Sequence, residues 1–145
     1  MDCVLRAWRP GDAQAVAEAV NNQKVQDNLR DGIPYPYTTA DAEDFIRSML
    51  AADRNQTFAF AITVEDRAVG SIGVFRQGNI HRRTAELGYY LAESHWGMGL
   101  GTSAVRQVCA HVFGATDIVR IFAEPFAGNE ASCRILEKEI GRAHV

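Results

Sequence analysis

Three strand-like segments follow one another in the middle of the chain with no helical pattern between them. Residues 58–62 alternate large apolar and small side chains, which is the period of a half-buried strand. Short turns at residues 65–67 and 77–79 join it to further strand patterns at residues 68–75 and 83–92. Neighbouring strands joined by short turns pair antiparallel, so the pattern argues against a simple doubly wound parallel sheet.

Helical patterns lie on either side of this group of strands. A short strand at residues 4–9 is followed by Pro10 and Gly11, and Asp12 is placed to cap the next helix. After a Gly- and Pro-rich loop at residues 30–38, Thr39 is placed to cap another helix. The helical spacing predicts that the following residues pack inward: Val16, Ala19, Val20, Ala42, Phe45, Ile46, Met49 and Leu50.

A glycine-rich turn follows the last of the central strands. A helix to about residue 113, a strand at residues 117–126 and a helix opening at Asn129 come after it. The order β-α-α-β-β-β-α-β-α predicts an α/β fold of the α+β mixed-sheet kind, antiparallel at first and parallel later.

Composition limits the classes of function. The chain has 145 residues, enough for one domain, and its net charge of −3 gives no sign of a nucleic-acid or anionic-membrane partner. The first residues lack the apolar stretch of a secretory signal, and no apolar run reaches membrane-spanning length. Cys3, Cys109 and Cys133 fit neither a disulfide framework nor a zinc pattern. We therefore expect a cytoplasmic protein with reduced thiols and no metal.

The glycine-rich turn reads WGMGLGT at residues 96–102. Glycines allow backbone N–H groups to converge on one point, and the positive end of a helix lies directly behind them, so the segment predicts a phosphate or pyrophosphate site. The alternative is a tight strand–helix turn in which glycine serves packing. The segment lacks the lysine of a P-loop, and its position and spacing do not fit a dinucleotide fingerprint. What fits is Q/R-x-x-G-x-G/A, with Trp96 first and Gly99 and Gly101 after it.

Four segments together carry a resemblance to a known family. They are LRAWRPGDAQAVAEAVNN, YPYTTADAEDFI, HRRTAELGYYLAESHWGMGLGTSAV and VRIFAEPFAGNEASCRILEK, which occur in this order between residues 3 and 138. The chain resembles the GNAT superfamily of N-acetyltransferases, and within it the branch of ribosomal-protein N-terminal acetyltransferases (RimJ/RimL-like).

The resemblance implies the GNAT acyl-CoA N-acyltransferase fold with acetyl-CoA as cosubstrate. It implies that the backbone of Leu87, Tyr89 and Leu91 pairs with the pantetheine arm and that Asn129 touches it, although helix capping alone would explain Asn129. The pyrophosphate is expected on the loop residues, where Trp96 mainly packs: Trp96, Gly97, Met98, Gly99, Leu100, Gly101 and Thr102. Met98 stands where the family usually has Arg or Lys, so a helpful cation is missing.

Glu86 is the candidate general base. It alternates with the apolar residues of its strand, and the resemblance implies that it removes the amine proton directly or through water. The alternative is a solvent-facing glutamate, or one paired with Arg82 or Arg83. Ser132 is the candidate donor to the leaving sulfur, with a surface serine as the alternative. Leu136 occupies the place where some relatives carry a tyrosine acid.

The acceptor side is less specific. Tyr35 and Tyr37 are expected to form one wall of the acceptor pocket, or else to pack their rings on the core. The expected substrate is a primary amine, either a protein N-terminus or a small molecule. A non-catalytic acyl-CoA-binding module and a nucleotide-binding domain are the competing interpretations, and a homodimer is left open.

The last seven residues, 139–145, do not continue the resemblance. A common sequencing adapter, followed in frame by a stop codon, can encode EIGRAHV. We therefore interpret residues 1–138 as an incomplete domain without its two terminal strands and residues 139–145 as an adapter-derived tail. Loss of those strands is expected to lower stability and favour aggregation.

Overall fold

The computed structural model describes residues 2–26, 37–78 and 83–122. Several residues singled out in the sequence lie outside these ranges: Tyr35, Arg82, Asn129, Ser132, Leu136, and the segment 139–145. The rest of the predicted strand beyond residue 122 and the predicted helix at Asn129 lie outside them as well.

A five-stranded mixed sheet forms the centre of the described structure, with strands in the order β1-β2-β3-β4-β5. The first four strands pair antiparallel, whereas β5 runs parallel to β4. This confirms the predicted mixed sheet and its change of direction. The bounds are β1 Val4–Arg6, β2 Thr57–Val64, β3 Arg67–Arg76, β4 Thr84–Leu91 and β5 Arg120–Phe122.

Helices cover both faces of this sheet. Their bounds are α1 Ala13–Val20, α2 Gln23–Gln26, α3 Thr39–Ala51 and α4 Leu100–Ala115. None of them, within the described ranges, is long and apolar enough to span a bilayer.

Strand alternation divides the core into two clusters. On one face, side chains of β2, β3 and β4 pack against α4, whose Val105, Val108 and Val112 are fully buried. On the other face, α1 and α3 pack over the small residues Ala61 and Ala68. The predicted inward residues of α1 are confirmed, and Ala42 and Ile46 of α3 are buried. The prediction for Leu50 is wrong, because its side chain is 48% exposed at the end of α3.

Asp12 is the N-cap residue of α1, as predicted, but its side chain makes no capping hydrogen bond, whereas the cap predicted at Thr39 is wrong. The carboxylate of Asp12 does not cap α1, because it pairs with the Arg6 guanidinium and accepts the Arg9 amide N–H at 2.8 Å. The cap of α3 is Thr38, one residue before the predicted Thr39. Its hydroxyl accepts the Asp41 amide, and the Asp41 carboxylate accepts the Thr38 amide, which forms a reciprocal capping box.

The turn between β2 and β3 places two ordinary side chains in left-handed backbone. Glu65 has φ 53° and Asp66 has φ 63°, the combination required by a two-residue type I′ hairpin turn. Asparagine adopts this region more readily than glutamate, so Glu65→Asn should raise the free energy of unfolding by about 0.5 kcal/mol. Glu65→Val should lower it, and equal urea midpoints for the two variants would contradict this account of the turn.

Candidate functional site

The glycine-rich segment turns sharply from the end of β4 into α4. Gly97 and Gly99 have φ values of 77° and 78°, a left-handed conformation that other residues adopt only with strain. Gly99 is the N-cap of α4, and its carbonyl accepts the Ser103 amide at 3.1 Å. Two of the glycines are therefore required by the backbone path itself, as the sequence analysis expected of a converging loop.

The amino-terminal end of α4 begins directly after this turn. No side chain caps it in the described structure, and its first turn carries no acidic residue. The 16-residue helix therefore presents first-turn amides and the positive end of its dipole at the segment. Leu100 is buried in the core, whereas Met98 is 42% exposed. The backbone amides of the first turn of α4 could bind a diphosphate without a side-chain cation.

Trp96 anchors the segment to the strand. Its indole Nε1 donates to the Leu91 carbonyl at 2.9 Å, and its amide donates to the Glu93 carbonyl at 3.1 Å. The ring nonetheless remains 40% exposed. Trp96 thus holds the glycine turn against the end of β4, in agreement with a mainly structural role.

β4 carries the predicted catalytic and cosubstrate residues on opposite faces. Leu87 and Leu91 are buried toward α4, and the partly buried Tyr89 packs beside them. Glu86 points to the other face, half-buried between Phe75 of β3 and Phe122 of β5 in the sheet register. Within the described residues, β5 pairs with β4 only as far as Glu86. The pantetheine pairing expected along residues 87–91 stays a prediction, and the Leu91 carbonyl already accepts the hydrogen bond from Trp96 Nε1.

The alternative partner for Glu86, Arg83, is directed elsewhere. Its guanidinium Nε donates to the Asp117 carbonyl at 3.1 Å, which ties the start of β4 to the segment before β5. Arg82 lies outside the described residues.

Tyr90 shares the Glu86 face of β4 and was missed by sequence reasoning. Burial raises the pKa of the Tyr90 hydroxyl well above its ordinary value, and nearby Tyr37 adds to the rise. Burial likewise raises the pKa of Tyr37, which is only 8% exposed within the α1–α3 core. Both phenols therefore stay protonated at neutral pH and can donate hydrogen bonds. The sequence could have predicted that Tyr90 shares the face of Glu86, because Glu86, Gly88 and Tyr90 follow one another at intervals of two residues along the strand.

A polar bridge joins the helices of this face to the turn after β4. Asn22 Nδ2 donates to Glu93 Oε1 at 3.1 Å, and Lys24 Nζ lies 3.1 Å from Glu93 Oε2. The hydrogen bonds from Asn22 and Lys24 lower the pKa of Glu93. The bridge positions α2 beside the glycine turn, and no local pattern in the sequence indicates it. Among the described residues, no cluster of three His, Cys, Asp or Glu side chains forms a metal site.

A mixed sheet whose fourth strand leads through a glycine turn into a helix is a framework that can hold a diphosphate-bearing cosubstrate. The family model described as "Acetyltransferase (GNAT) domain" matches residues 2–139. The chain belongs to the GNAT acetyltransferase family, whose members transfer an acetyl group from acetyl-CoA to an amine.

Curated relatives agree with this assignment. The uncharacterized N-acetyltransferase YoaA of Bacillus subtilis (strain 168) is 39% identical over 138 residues, which cover 93% of this chain and 76% of YoaA. The probable N-acetyltransferase YjcK of the same strain is 34% identical over 89 residues, 61% of this chain and 49% of YjcK. The names of these relatives state N-acetyltransferase activity without an acceptor.

Solved structures show the same fold at low sequence identity. The ribosomal L7/L12 alpha-N-protein acetyltransferase RimL in complex with coenzyme A has a TM-score of 0.81 at 22% identity, covering 93% of this chain and 77% of RimL. AAC(6')-Ib in complex with paromomycin and acetyl-CoA has a TM-score of 0.77 at 21% identity, covering 96% of this chain and 82% of AAC(6')-Ib. RimJ of Mycobacterium smegmatis has a TM-score of 0.79 at 22% identity, covering 91% of this chain and 66% of RimJ.

Proposed function

We propose that this protein acetylates a primary amine by direct attack on acetyl-CoA in a ternary complex. The observation that carries the proposal is the open end of α4 behind two left-handed glycines, at the end of the strand that bears Glu86. The proposal is supported by the short path along the chain from Glu86, through the end of β4, to the glycine turn. Acetyl-CoA supplies the activated acetyl thioester.

The glycine turn would bind the diphosphate of the cosubstrate. The amides at the start of α4 donate to its oxygens, and the helix dipole supplies positive potential. Because Met98 provides no charge, affinity depends on the backbone conformation more than in relatives with a basic residue there. Coenzyme A and acetyl-CoA are bound by the RimL and AAC(6')-Ib structures that share this fold.

The backbone of β4 would guide the cosubstrate toward Glu86. Five residues separate Leu91 from Glu86, or roughly 17 Å along an extended strand. A cosubstrate anchored at the glycine turn must therefore run along β4 in an extended form to bring its thioester near the carboxylate. Backbone pairing with residues 87–91 provides this path.

Glu86 would accept the proton of the acceptor ammonium, since only the neutral amine attacks the thioester. In the register, its neighbours on the adjacent strands are the apolar residues Phe75 and Phe122. Ser132 would donate a hydrogen bond to the departing sulfur, since Leu136 cannot act as an acid. Tyr90 would offer a protonated hydroxyl on the acceptor side, with the buried Tyr37 packed beside it in the core.

The acceptor itself is proposed as a class. The structural neighbours act on unlike amines, because RimL is named for the N-terminus of ribosomal protein L7/L12 and AAC(6')-Ib is bound to aminoglycosides. The sequence pattern around Glu86 and the glycine turn supports the N-terminal acetyltransferase branch. A mass-spectrometric screen with acetyl-CoA and a panel of peptides and small amines tests the assignment, and an absence of any acetylated product would reject it.

The left-handed glycine at position 97 gives a direct test of cosubstrate binding. No atom lies within 4 Å of a Cβ added to Gly97, so a substitution there is penalised by backbone conformation and not by collision. Gly97→Val should weaken acetyl-CoA binding about ten- to thirtyfold, whereas Gly97→Asn, which tolerates this φ, should cost about threefold or less.

Isothermal titration calorimetry with acetyl-CoA measures both variants. Gly78→Val serves as the matched control, because Gly78 also has open space around its Cα but no left-handed φ, and it lies in the turn after β3. Wild-type affinity in Gly97→Val would show that the turn does not hold the diphosphate.

A further inference from the structure

Two glycines lie opposite each other in the central strands, on the side of the sheet that bears Glu86. The register between β3 and β4 pairs Gly73 with Gly88 and Phe75 with Glu86. Directly opposite residues of antiparallel strands project to the same face, so these four positions share one surface. The pair of glycines therefore leaves a gap in the layer of side chains beside the carboxylate.

The part of this gap above Gly73 is filled by Phe75. A Cβ added to Gly73 would lie 2.7 Å from Cζ and 3.0 Å from Cε2 of the Phe75 ring. The ring therefore leans along β3 into the place that a side chain at position 73 would occupy. It is still 39% exposed, whereas Gly73 beneath it is buried. Glycine at position 73 thus allows a partly exposed aromatic ring to lie low over the sheet.

The part of the gap above Gly88 is open. No atom of the described structure lies within 4 Å of a Cβ added to Gly88, and the residue is exposed. Because Gly73 is the partner of Gly88, the Phe75 ring borders this open space on the side of β3. Glu86 lies on the same face, roughly 7 Å away along an extended strand. The open space thus has an aromatic side wall and a carboxylate at one end.

These groups suit a primary amine that carries an apolar group close to its nitrogen. A carboxylate binds an ammonium group by charge-assisted hydrogen bonds, and a partly exposed ring favours apolar surface packed against it. The spacing between Glu86 and Gly88 matches an apolar group that begins about two or three carbon atoms from the nitrogen.

We propose that the acceptor amine lies over Gly88 and that Phe75 selects acceptors with an apolar group beside the amine. Glu86 holds the ammonium, and the apolar group packs on the Phe75 ring in the space that a side chain at position 88 would fill. This inference rests on the proposed function, because it names the class of acceptor used at that site. An apolar first residue of a peptide and an apolar small amine share this chemistry.

Phe75→Ala tests the selection through a ratio of two acceptors. We compare kcat/KM for phenethylamine with kcat/KM for ethanolamine, whose body is polar. The wild-type protein should prefer phenethylamine, and Phe75→Ala should lower this preference about five- to twentyfold. Both amines are measured on one preparation, so a loss of folded protein cancels from the ratio.

Phe113→Ala is the matched control for this ratio. Phe113 is also 39% exposed, but it lies on α4, which covers the other face of the sheet. The control should keep the wild-type preference. A second pair of acceptors, tripeptides that begin with phenylalanine or with serine, tests a peptide source. A preference for the apolar member of either pair supports the proposal, and the pair with the higher kcat/KM identifies the source.

Gly88→Ala tests whether the acceptor occupies the open space. Alanine fits a strand better than glycine and meets no described atom there, so the free energy of unfolding should be unchanged or higher. The KM of the preferred amine should nonetheless rise about five- to tenfold, while the Kd of acetyl-CoA changes less than about twofold. Gly78→Ala is the control, because Gly78 has open space as well but lies in the turn after β3.

The outcomes distinguish this inference from the proposed function. A wild-type preference for the polar acceptors, an unchanged ratio in Phe75→Ala, or a wild-type KM in Gly88→Ala would overturn the inference. Acetylation of any amine in these experiments would leave the proposed function in place. If the wild-type protein acetylated none of the amines or peptides, both the inference and the proposed function would be rejected.

Discussion

Replacing Glu86 with glutamine is expected to lower kcat/KM for acetyl transfer about 100- to 1000-fold while acetyl-CoA affinity changes less than about twofold. Glutamine keeps the size of the side chain between Phe75 and Phe122 but cannot accept a proton. The loss should therefore fall on the chemical step and leave the glycine turn intact. Steady-state kinetics with the preferred amine, together with calorimetry for acetyl-CoA, measures the two effects separately.

The pH dependence of the Glu86→Gln variant adds a second criterion. Without a base on the protein, the residual rate depends on amine deprotonated in solution, so log rate should rise with pH up to the pKa of the amine. The ratio of the wild-type rate to the Glu86→Gln rate should decrease over that pH range. Glu43→Gln on the exposed side of α3 is the control and should keep wild-type rates.

A loss smaller than about threefold in Glu86→Gln would remove Glu86 from the catalytic role. If the wild-type chain bound acetyl-CoA but acetylated no amine in the panel, the non-catalytic acyl-CoA-binding interpretation would replace the proposed function.

Local patterns were sufficient to predict the elements that build the proposed cosubstrate site. The alternation along residues 85–91 placed Leu87 and Leu91 in the core and Glu86 on the opposite face. The glycines at 97 and 99 were expected where the backbone had to turn, and both adopt positive φ. These features depend on the residue types within one or two turns of chain, so the sequence carries them directly.

Features that depend on distant residues could not be predicted in this way. Asp12 is well placed to cap a helix, but its carboxylate accepts hydrogen bonds from the Arg6 guanidinium instead of from the first amides of α1. Leu50 fits the helical stripe of α3, but it lies in the last turn of the helix and its side chain is 48% exposed. The bridge from Asn22 to Glu93 joins residues 71 apart in sequence. No propensity of either residue indicates such a contact.

The pair formed by Arg6 and Asp12 shows how such a long-range contact determines the edge of the fold. Two hydrogen bonds of 2.8 Å join the guanidinium to both carboxylate oxygens, and the side chains are 12% and 8% exposed. Arg6 also bonds the Asp66 side chain and carbonyl, which connects β1 to the β2–β3 turn. The pair thereby fixes the end of β1 and the segment that carries Trp8.

Replacing Arg6 with methionine is expected to lower the free energy of unfolding by about 3 kcal/mol, because it leaves the buried Asp12 carboxylate without its counter-charge. Arg47→Met is the matched control: its partner Asp44 is exposed, so the cost should be under about 0.5 kcal/mol. In urea titrations, Arg6→Met combined with Asp12→Asn should be more stable than the sum of the single losses implies, by about 1–3 kcal/mol. Strictly additive losses would contradict the pairing.

The dependence of stability on pH in acid also tests the pair formed by Arg6 and Asp12. Burial alone would raise the pKa of Asp12, but hydrogen bonds from Arg6 and the Arg9 amide outweigh it and lower the pKa below its ordinary value. A carboxylate with a lowered folded-state pKa contributes its full stability above the unfolded value of about 3.9 and loses it as the pH falls through the folded value. In Arg6→Met the burial of Asp12 acts without Arg6 and raises its folded-state pKa, so protonation relieves the variant first. The difference in stability between the wild-type protein and Arg6→Met should therefore be largest at neutral pH, begin to shrink above the unfolded value of about 3.9 and shrink further below it. A difference that grows with acid would mean that Arg6 stabilises the fold through contacts other than the Asp12 carboxylate.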